Sequence, residues 1–248
     1  MTISNVTHMQ RRTRGKRSLE ESHQTKEQIL MSAIQLFCEK GYEVTSIRKI
    51  SQASMVAHSC ISHHFGSKEQ LWLDIGDYIY AYMVEEVRAL DAYLQKEKCS
   101  KKKVYLFSVH VIALLIRYPI PIKYMSEAMR ILDHLENPFR GEVGEATKVI
   151  SPILCRFDEM NSHFGESMLD LKWILISSCY TGANLTLLSG ISQRFVKNME
   201  VQHWKLYSKI IADYCELDDS EQMSLEEIDD LILYLSHPLR STEFSTEC

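Results

Sequence analysis

The chain has 248 residues, 45 % of them hydrophobic, which is ample for a buried core and excludes a disordered chain. Its net charge of −5 is unevenly spread: residues 1–68 carry ten basic and five acidic groups (+5), while residues 69–248 carry eighteen and twenty-eight (−10). Contact with a polyanion is therefore expected of the first quarter alone, and the acidic remainder would discourage indiscriminate sticking.

Seven cysteines (Cys38, Cys60, Cys99, Cys155, Cys179, Cys215 and Cys248) are odd in number and widely spread. With no CxxC pair and no signal peptide ahead of them, they read as free thiols in a cytoplasm rather than a disulfide framework. The longest apolar run, Val104 to Ile116, is 13 residues long. It falls short of the roughly 20 needed to cross a bilayer, so a buried helix and no membrane are expected.

Residues 1–21 are polar, contain "RRTRGKR", and read as a flexible basic arm or a solubilising tail. From Ser22 onward Ile29, Leu30, Ala33, Leu36 and Phe37 recur at helical spacing until Gly41 stops them. Thr45 can cap a short second helix holding Ile47 and Ile50, and Val56 with Ile61 gives the inner side of a third before Phe65. Ser67 then caps a long helix to Glu97, and the lysine-rich "KEKCSKKK" is a loop. The next helix runs to Arg117, where "YPIP" must break it. Further helices are expected at about 122–136, 139–164, 167–188, 192–215 and 224–235. The fold class is all-α, with nine or ten helices: an arm (1–21), a three-helix head (22–72) and a larger helical body (73–248).

Second and third helices joined by the short "QASMVAH" form a helix-turn-helix, whose last helix enters a major groove. The run "TKEQILMSAIQLFCEKGYEVTSIRKISQAS" followed by "ISHHFGSKEQLW" resembles the N-terminal domain of the TetR family of transcriptional regulators. Ala33, Leu36, Phe37 and Gly41, then Thr45 and Ile50, then His63, His64, Phe65, Ser67, Lys68, Glu69 and Leu71 carry the likeness. The resemblance implies a DNA-binding regulator of transcription, usually a repressor, acting as a homodimer on a palindromic operator.

In that frame His63 would donate to phosphates and Phe65 would plug the small core, while Lys68 adds charge at the start of the long helix. Thr45 would offer its hydroxyl and backbone N–H to a phosphate, with Arg48 and Lys49 as further backbone contacts. Base reading falls to Ala57, His58, Ser59 and Cys60. Ser62 stands where the family often has a phosphate-anchoring tyrosine. Arg14 and Arg17 would reach an adjacent minor groove. Other readings compete: Cys60 and His64 lie one turn apart, but no second ligand pair with zinc-site spacing follows, so no metal and no cofactor is expected. His64 reads also as a packed core histidine, and Cys60 as a redox-sensitive thiol.

The turn departs from the family's usual Ala-Gly-Val-Ser, having Ser54, Met55, Val56 and Ala57. A left-handed Met55 would cost roughly 1–2 kcal/mol and the loss of a capping serine at Ala57 about another 0.5–2 kcal/mol. For the body, the resemblance implies an unknown small-molecule effector and dimerisation through about 167–188 and 192–215. Small residues there (Ser177, Ser178, Gly182, Ala183) would permit close helix contact, between subunits or within one chain. Phe107, His110, Met125, Met129, Phe157, Trp173, Ile176 and Tyr180 are the candidate pocket lining, with Arg117, Lys123 or Arg130 able to pair an anionic group. No HExxH, no ExxH pair and no phosphate-cradling glycine loop points to an enzyme. An all-α intracellular enzyme or cysteine-based redox sensor, its head merely structural, is the alternative.

Overall fold

The computed structural model describes residues 19–131, 168–184 and 193–235. Among them are nine α-helices and no strand: α1 (Leu19–Lys40), α2 (Ile47–Ala53), α3 (His58–Phe65), α4 (Lys68–Leu94), α5 (Ser100–Arg117), α6 (Ile120–Ile131), α7 (Met168–Asn184), α8 (Gln193–Tyr214) and α9 (Leu225–Tyr234). A 3₁₀ turn, Asp219–Glu221, precedes α9. The all-α expectation holds. The expected helix at 139–164 lies outside the described residues, as does most of the basic arm.

Helix α1 buries Ile29, Leu30, Ala33, Ile34 and Phe37 along one stripe. It ends at Gly41, whose φ of +91° suits a residue without a side chain, and whose N–H donates to Phe37 O. A Cβ on Gly41 would also stand 3.0 Å from Glu127 Oε1 and 3.2 Å from Arg130 Nη2, so glycine lets α6 approach as well as ending α1. Ile50 of α2, Ile61 and Phe65 of α3, and Leu71, Trp72, Ile75 and Ile79 of α4 complete the head's apolar core.

That core does not close with the first four helices. Tyr124, Ala128 and Ile131 of α6 belong to it. Tyr124 stacks on Trp72, ring centroids 4.2 Å apart, and its hydroxyl donates to Trp72 O at 2.8 Å. Burial pushes the Tyr124 phenol well above its ordinary range, so it stays a neutral donor. Two prolines put α6 there. Helix α5 stops at Arg117, and α6 restarts after Pro119 with Pro121 in its first turn, where no N–H is missed. The two axes differ by 79°.

The body's core is separate. Helix α5 lies at its centre, with Val104, Tyr105, Val109, Ile112 and Leu115 packed against Cys179 of α7, Trp204, Ile211 and Ala212 of α8, and Ile228 and Ile232 of α9. No single described helix is long and apolar enough to cross a membrane. Gly182 of α7 sits where a Cβ would meet Ile116 Cγ1 at 2.8 Å and His203 Nε2 at 3.1 Å. The small residues Ser178, Cys179 and Gly182 thus serve packing within the chain.

The turn of the head bears the strain anticipated. Met55 has φ +51° and is 86 % exposed, so it holds a left-handed backbone with no packing in return. Replacing Met55 with glycine should raise the stability by roughly 1 kcal/mol, read as a higher urea midpoint at unchanged slope. A lower midpoint would mean that Met55 contributes contacts not seen here.

Candidate nucleic-acid interface

The face that α2, α3 and the start of α4 present to solvent is built by what they turn inward. Ile61 and Phe65 anchor α3 from one side, which leaves His58, Ser59, Ser62 and His63 exposed on the other. Cys60 and His64 are half-buried between the two faces. The His64 ring lies 5.3 Å from His63 and 6.3 Å from Phe65, at the margin of the core rather than within it. Ala57 is the N-cap and makes no side-chain cap hydrogen bond, as its missing hydroxyl requires. Among the described residues no three His, Cys, Asp or Glu side chains gather as a metal site would need.

Thr45 is not where the sequence suggested. It is fully buried, its hydroxyl donates to Gly41 O (2.8 Å) and Leu36 O (3.3 Å), and its N–H donates to Tyr42 O. Ser46 instead caps α2, accepting from Lys49 N. The error is one residue in phase: threonine's methyl and hydroxyl suit the closed turn after Gly41, and the exposed cap falls to its neighbour. Lys49 is also drawn back, its ammonium donating to Val44 O at 2.7 Å. Arg48 is exposed on the outer side of α2.

Lys68, the first residue of α4, extends over the ring of Tyr42, its Nζ 4.0 Å from the centroid. Burial lowers its pKa, against an opposing pull from Glu43. Tyr42 is itself gripped from three sides. Its ring stacks on Phe37 (5.5 Å) and meets Trp72 edge-on (5.3 Å), and its backbone N–H donates to Glu127 Oε1 of α6 at 2.5 Å. Sequence reading missed Tyr42 and Ser46. The signal for Tyr42 was an aromatic directly after the helix-stopping glycine. Lys26 of α1 lies over the Phe65 ring, its Nζ 5.5 Å from the centroid.

Arg14, Arg17 and Phe157 lie outside the described residues. Of the other candidate pocket residues, His110 is buried and Phe107 half-buried in α5. Met125 (40 %), Met129 (67 %), Trp173 (70 %), Ile176 (64 %) and Tyr180 (55 %) are exposed. On α7 the small residues Ser178, Cys179 and Gly182 turn inward together with Ile174 and Leu175, while Trp173, Ile176 and Tyr180 are exposed. Arg117 pairs with Asp229 at 2.9 Å and Arg130 with Glu127 at 2.7 Å, so both are committed at the surface.

Known proteins resemble this chain in two ways. Residues 29–75 match the family model described as bacterial regulatory proteins, tetR family. The HTH-type transcriptional repressor AcnR of Corynebacterium efficiens is 36 % identical over 63 residues, 25 % of this chain and 34 % of that protein. NicS of Pseudomonas putida, also an HTH-type transcriptional repressor, is 33 % identical over 73 residues, 29 % of this chain and 34 % of that one. The matches thus span about a third of these curated relatives. In structure, a TetR family transcription regulator from Marinobacter aquaeolei aligns with 80 % of this chain and 98 % of its own at TM-score 0.57 and 14 % identity. A tetR-family regulatory protein from Rhodococcus aligns with 75 % of this chain and 96 % of its own at TM-score 0.52 and 14 % identity. These two share the fold.

Glu127 provides a check on how the head is held. Burial raises its carboxyl pKa, but the hydrogen bonds from Arg130 and from Tyr42 N more than offset this and hold it below the usual carboxylate range. A depressed carboxylate stabilises fully above its unfolded-state pKa, and loses that contribution as the pH falls through the folded-state value. Glu127→Gln should therefore cost about 1 kcal/mol at neutral pH, a figure reduced for the exposed Arg130 partner. In urea melts from pH 7 to pH 3 the gap between the two proteins should narrow; a gap independent of pH would show that charge plays no part. Residues 29–75 thus match the tetR family of bacterial regulatory proteins, and the described residues share the fold of the two solved structures.

Proposed function

We propose that this protein is a sequence-specific DNA-binding regulator of transcription in the cytoplasm, a ligand-responsive repressor acting as a homodimer on a palindromic operator. One observation carries the reading: α3 exposes His58, Ser59, Ser62 and His63 in a row, flanked by Arg48 and Lys68, on the most basic quarter of an acidic chain. Short polar side chains reach base edges, and the flanking cations fix the register on phosphates. The repressor names of AcnR and NicS, which share this head, support the same direction.

Dimerisation falls to the outward face of α7 and α8. Trp173, Ile176 and Tyr180 recur at helical spacing on α7, and Leu206 and Ile210 one turn apart on α8, all exposed in the single chain. Apolar patches of that size mark association surfaces. A twofold partner would cover them and set two recognition helices roughly 34–36 Å apart, one turn of duplex. The effector belongs in the body, near His110 and Phe107 of α5. Ser108 Oγ and Trp204 Nε1 are buried there without a hydrogen-bond partner among the described residues, and a polar effector group would supply one. Binding would shift the population of head orientations through the helices that join head to body.

Selection from a random duplex pool should enrich a palindrome whose affinity falls steeply with salt. Arg48→Ala should reduce the slope of log K against log salt by about 0.9, one phosphate contact, and His63→Ala should weaken binding with the fold unchanged by circular dichroism. Enrichment of no sequence, or binding indifferent to both changes, would remove the head from this role.

Trp173→Asp with Ile176→Asp should convert the dimer to a folded monomer in sedimentation velocity and cost at least tenfold in operator affinity. A dimer that survives the pair of charges would place the interface elsewhere.

A further inference from the structure

We infer that Tyr42 is the residue that positions Lys68 for its DNA phosphate, and that it ties this contact to α6. The inference rests on the DNA-binding role proposed above and concerns how that surface is set. A lysine side chain has four rotatable bonds, and an ammonium free to sample them spends little time at any one phosphate. Here the Lys68 ammonium stands 4.0 Å from the Tyr42 ring centroid, a cation–π seat that narrows its range without removing its charge. The ring is a rigid support because Phe37 and Trp72 pack on it and it is only 8 % exposed.

The other end of Tyr42 is what makes the arrangement more than local. Its N–H is held by Glu127 of α6, which Arg130 orients through two hydrogen bonds of 2.8 and 2.7 Å. Trp72, one turn along α4 from Lys68, is in turn stacked on Tyr124 of the same α6. Lys68 is therefore bracketed by two contacts with one helix, one through the Tyr42 backbone and ring and one through α4 itself. A shift of α6 relative to α1 moves the seat under Lys68 even if α4 stays where it is. The Lys68 phosphate contact thus answers to α6 by a route that bypasses the long axis of α4.

The test uses the full-length protein and a random-sequence 30-base-pair duplex, with binding followed by fluorescence anisotropy across a salt series. Lys68→Ala should lower the salt slope by about 0.9, the value of one contact. Tyr42→Leu should lower it by much of the same amount, Tyr42→Phe should leave it near the parent value because the ring is kept, and adding Tyr42→Leu to Lys68→Ala should cause no further drop. Glu127→Gln should weaken binding in the parent and not in the Lys68→Ala background. Thermal melts confirm which variants remain folded; if Tyr42→Leu unfolds, Tyr42→Met, which preserves more of the volume, replaces it. Additive losses from Tyr42→Leu and Lys68→Ala, or an unchanged slope in folded Tyr42→Leu, would overturn the inference while leaving DNA binding intact. A parent protein that binds no duplex even at low salt would overturn the DNA-binding reading, and this inference with it.

Discussion

The stack of Trp72 on Tyr124 is the contact on which the head's integrity turns. Helices α1 to α3 and the first turns of α4 enclose too little apolar surface to be stable alone, since small units bury a small fraction of what their unfolded chains expose. Helix α6 supplies the missing wall with Tyr124, Ala128 and Ile131, each at most 2 % exposed. Full burial of one such large side chain is worth roughly 1.5–3 kcal/mol, comparable with what the strained Met55 and the uncapped Ala57 take away. The Tyr124 hydroxyl, bonded to Trp72 O, is itself satisfied in that burial.

Because the same helix closes one core and leads directly out of the other, head and body cannot move independently. Helix α5 is fixed in the body's centre, and the 79° bend at Pro119 and Pro121 delivers α6 to the head at a set angle. Cores packed at crystal density transmit small displacements rather than absorbing them. Gly41 shows how close the joint is: a Cβ there would press on the ends of the Glu127 and Arg130 side chains, at 3.0 and 3.2 Å. Cys38, half-buried beside Ile120 O, has its thiol pushed up to about 12 by desolvation and is an uncharged packing residue at this seam. It is not a reactive one.

The head was legible because its signals are local. A glycine that ends α1, a serine that caps α4 and the apolar spacing between them depend on neighbours within four residues, and all three appear where the sequence put them. Thr45 shows the limit of that reading. Two adjacent hydroxyl residues compete for one cap, and the choice is made by the fold of the turn after Gly41, which consumes Thr45 and frees Ser46. The role of α6 could not be read at all, because Tyr124 meets Trp72 from 52 residues away and periodicity carries no information on which core a helix enters.

Helix α7 shows the same gap more sharply. Trp173, Ile176 and Tyr180 recur as a core stripe would, yet Ser178, Cys179 and Gly182 occupy the core side. Size decides the matter. Gly182 has no room for even a Cβ between Ile116 and His203, and His203 Nε2 lies 2.9 Å from Ser178 O, so only the small face can enter. A helix that is apolar on both faces and seated by its small one has its bulky face left for another surface. Sequence alone could count the apolar positions of α7 but could not tell which of them turn toward α5 and α8.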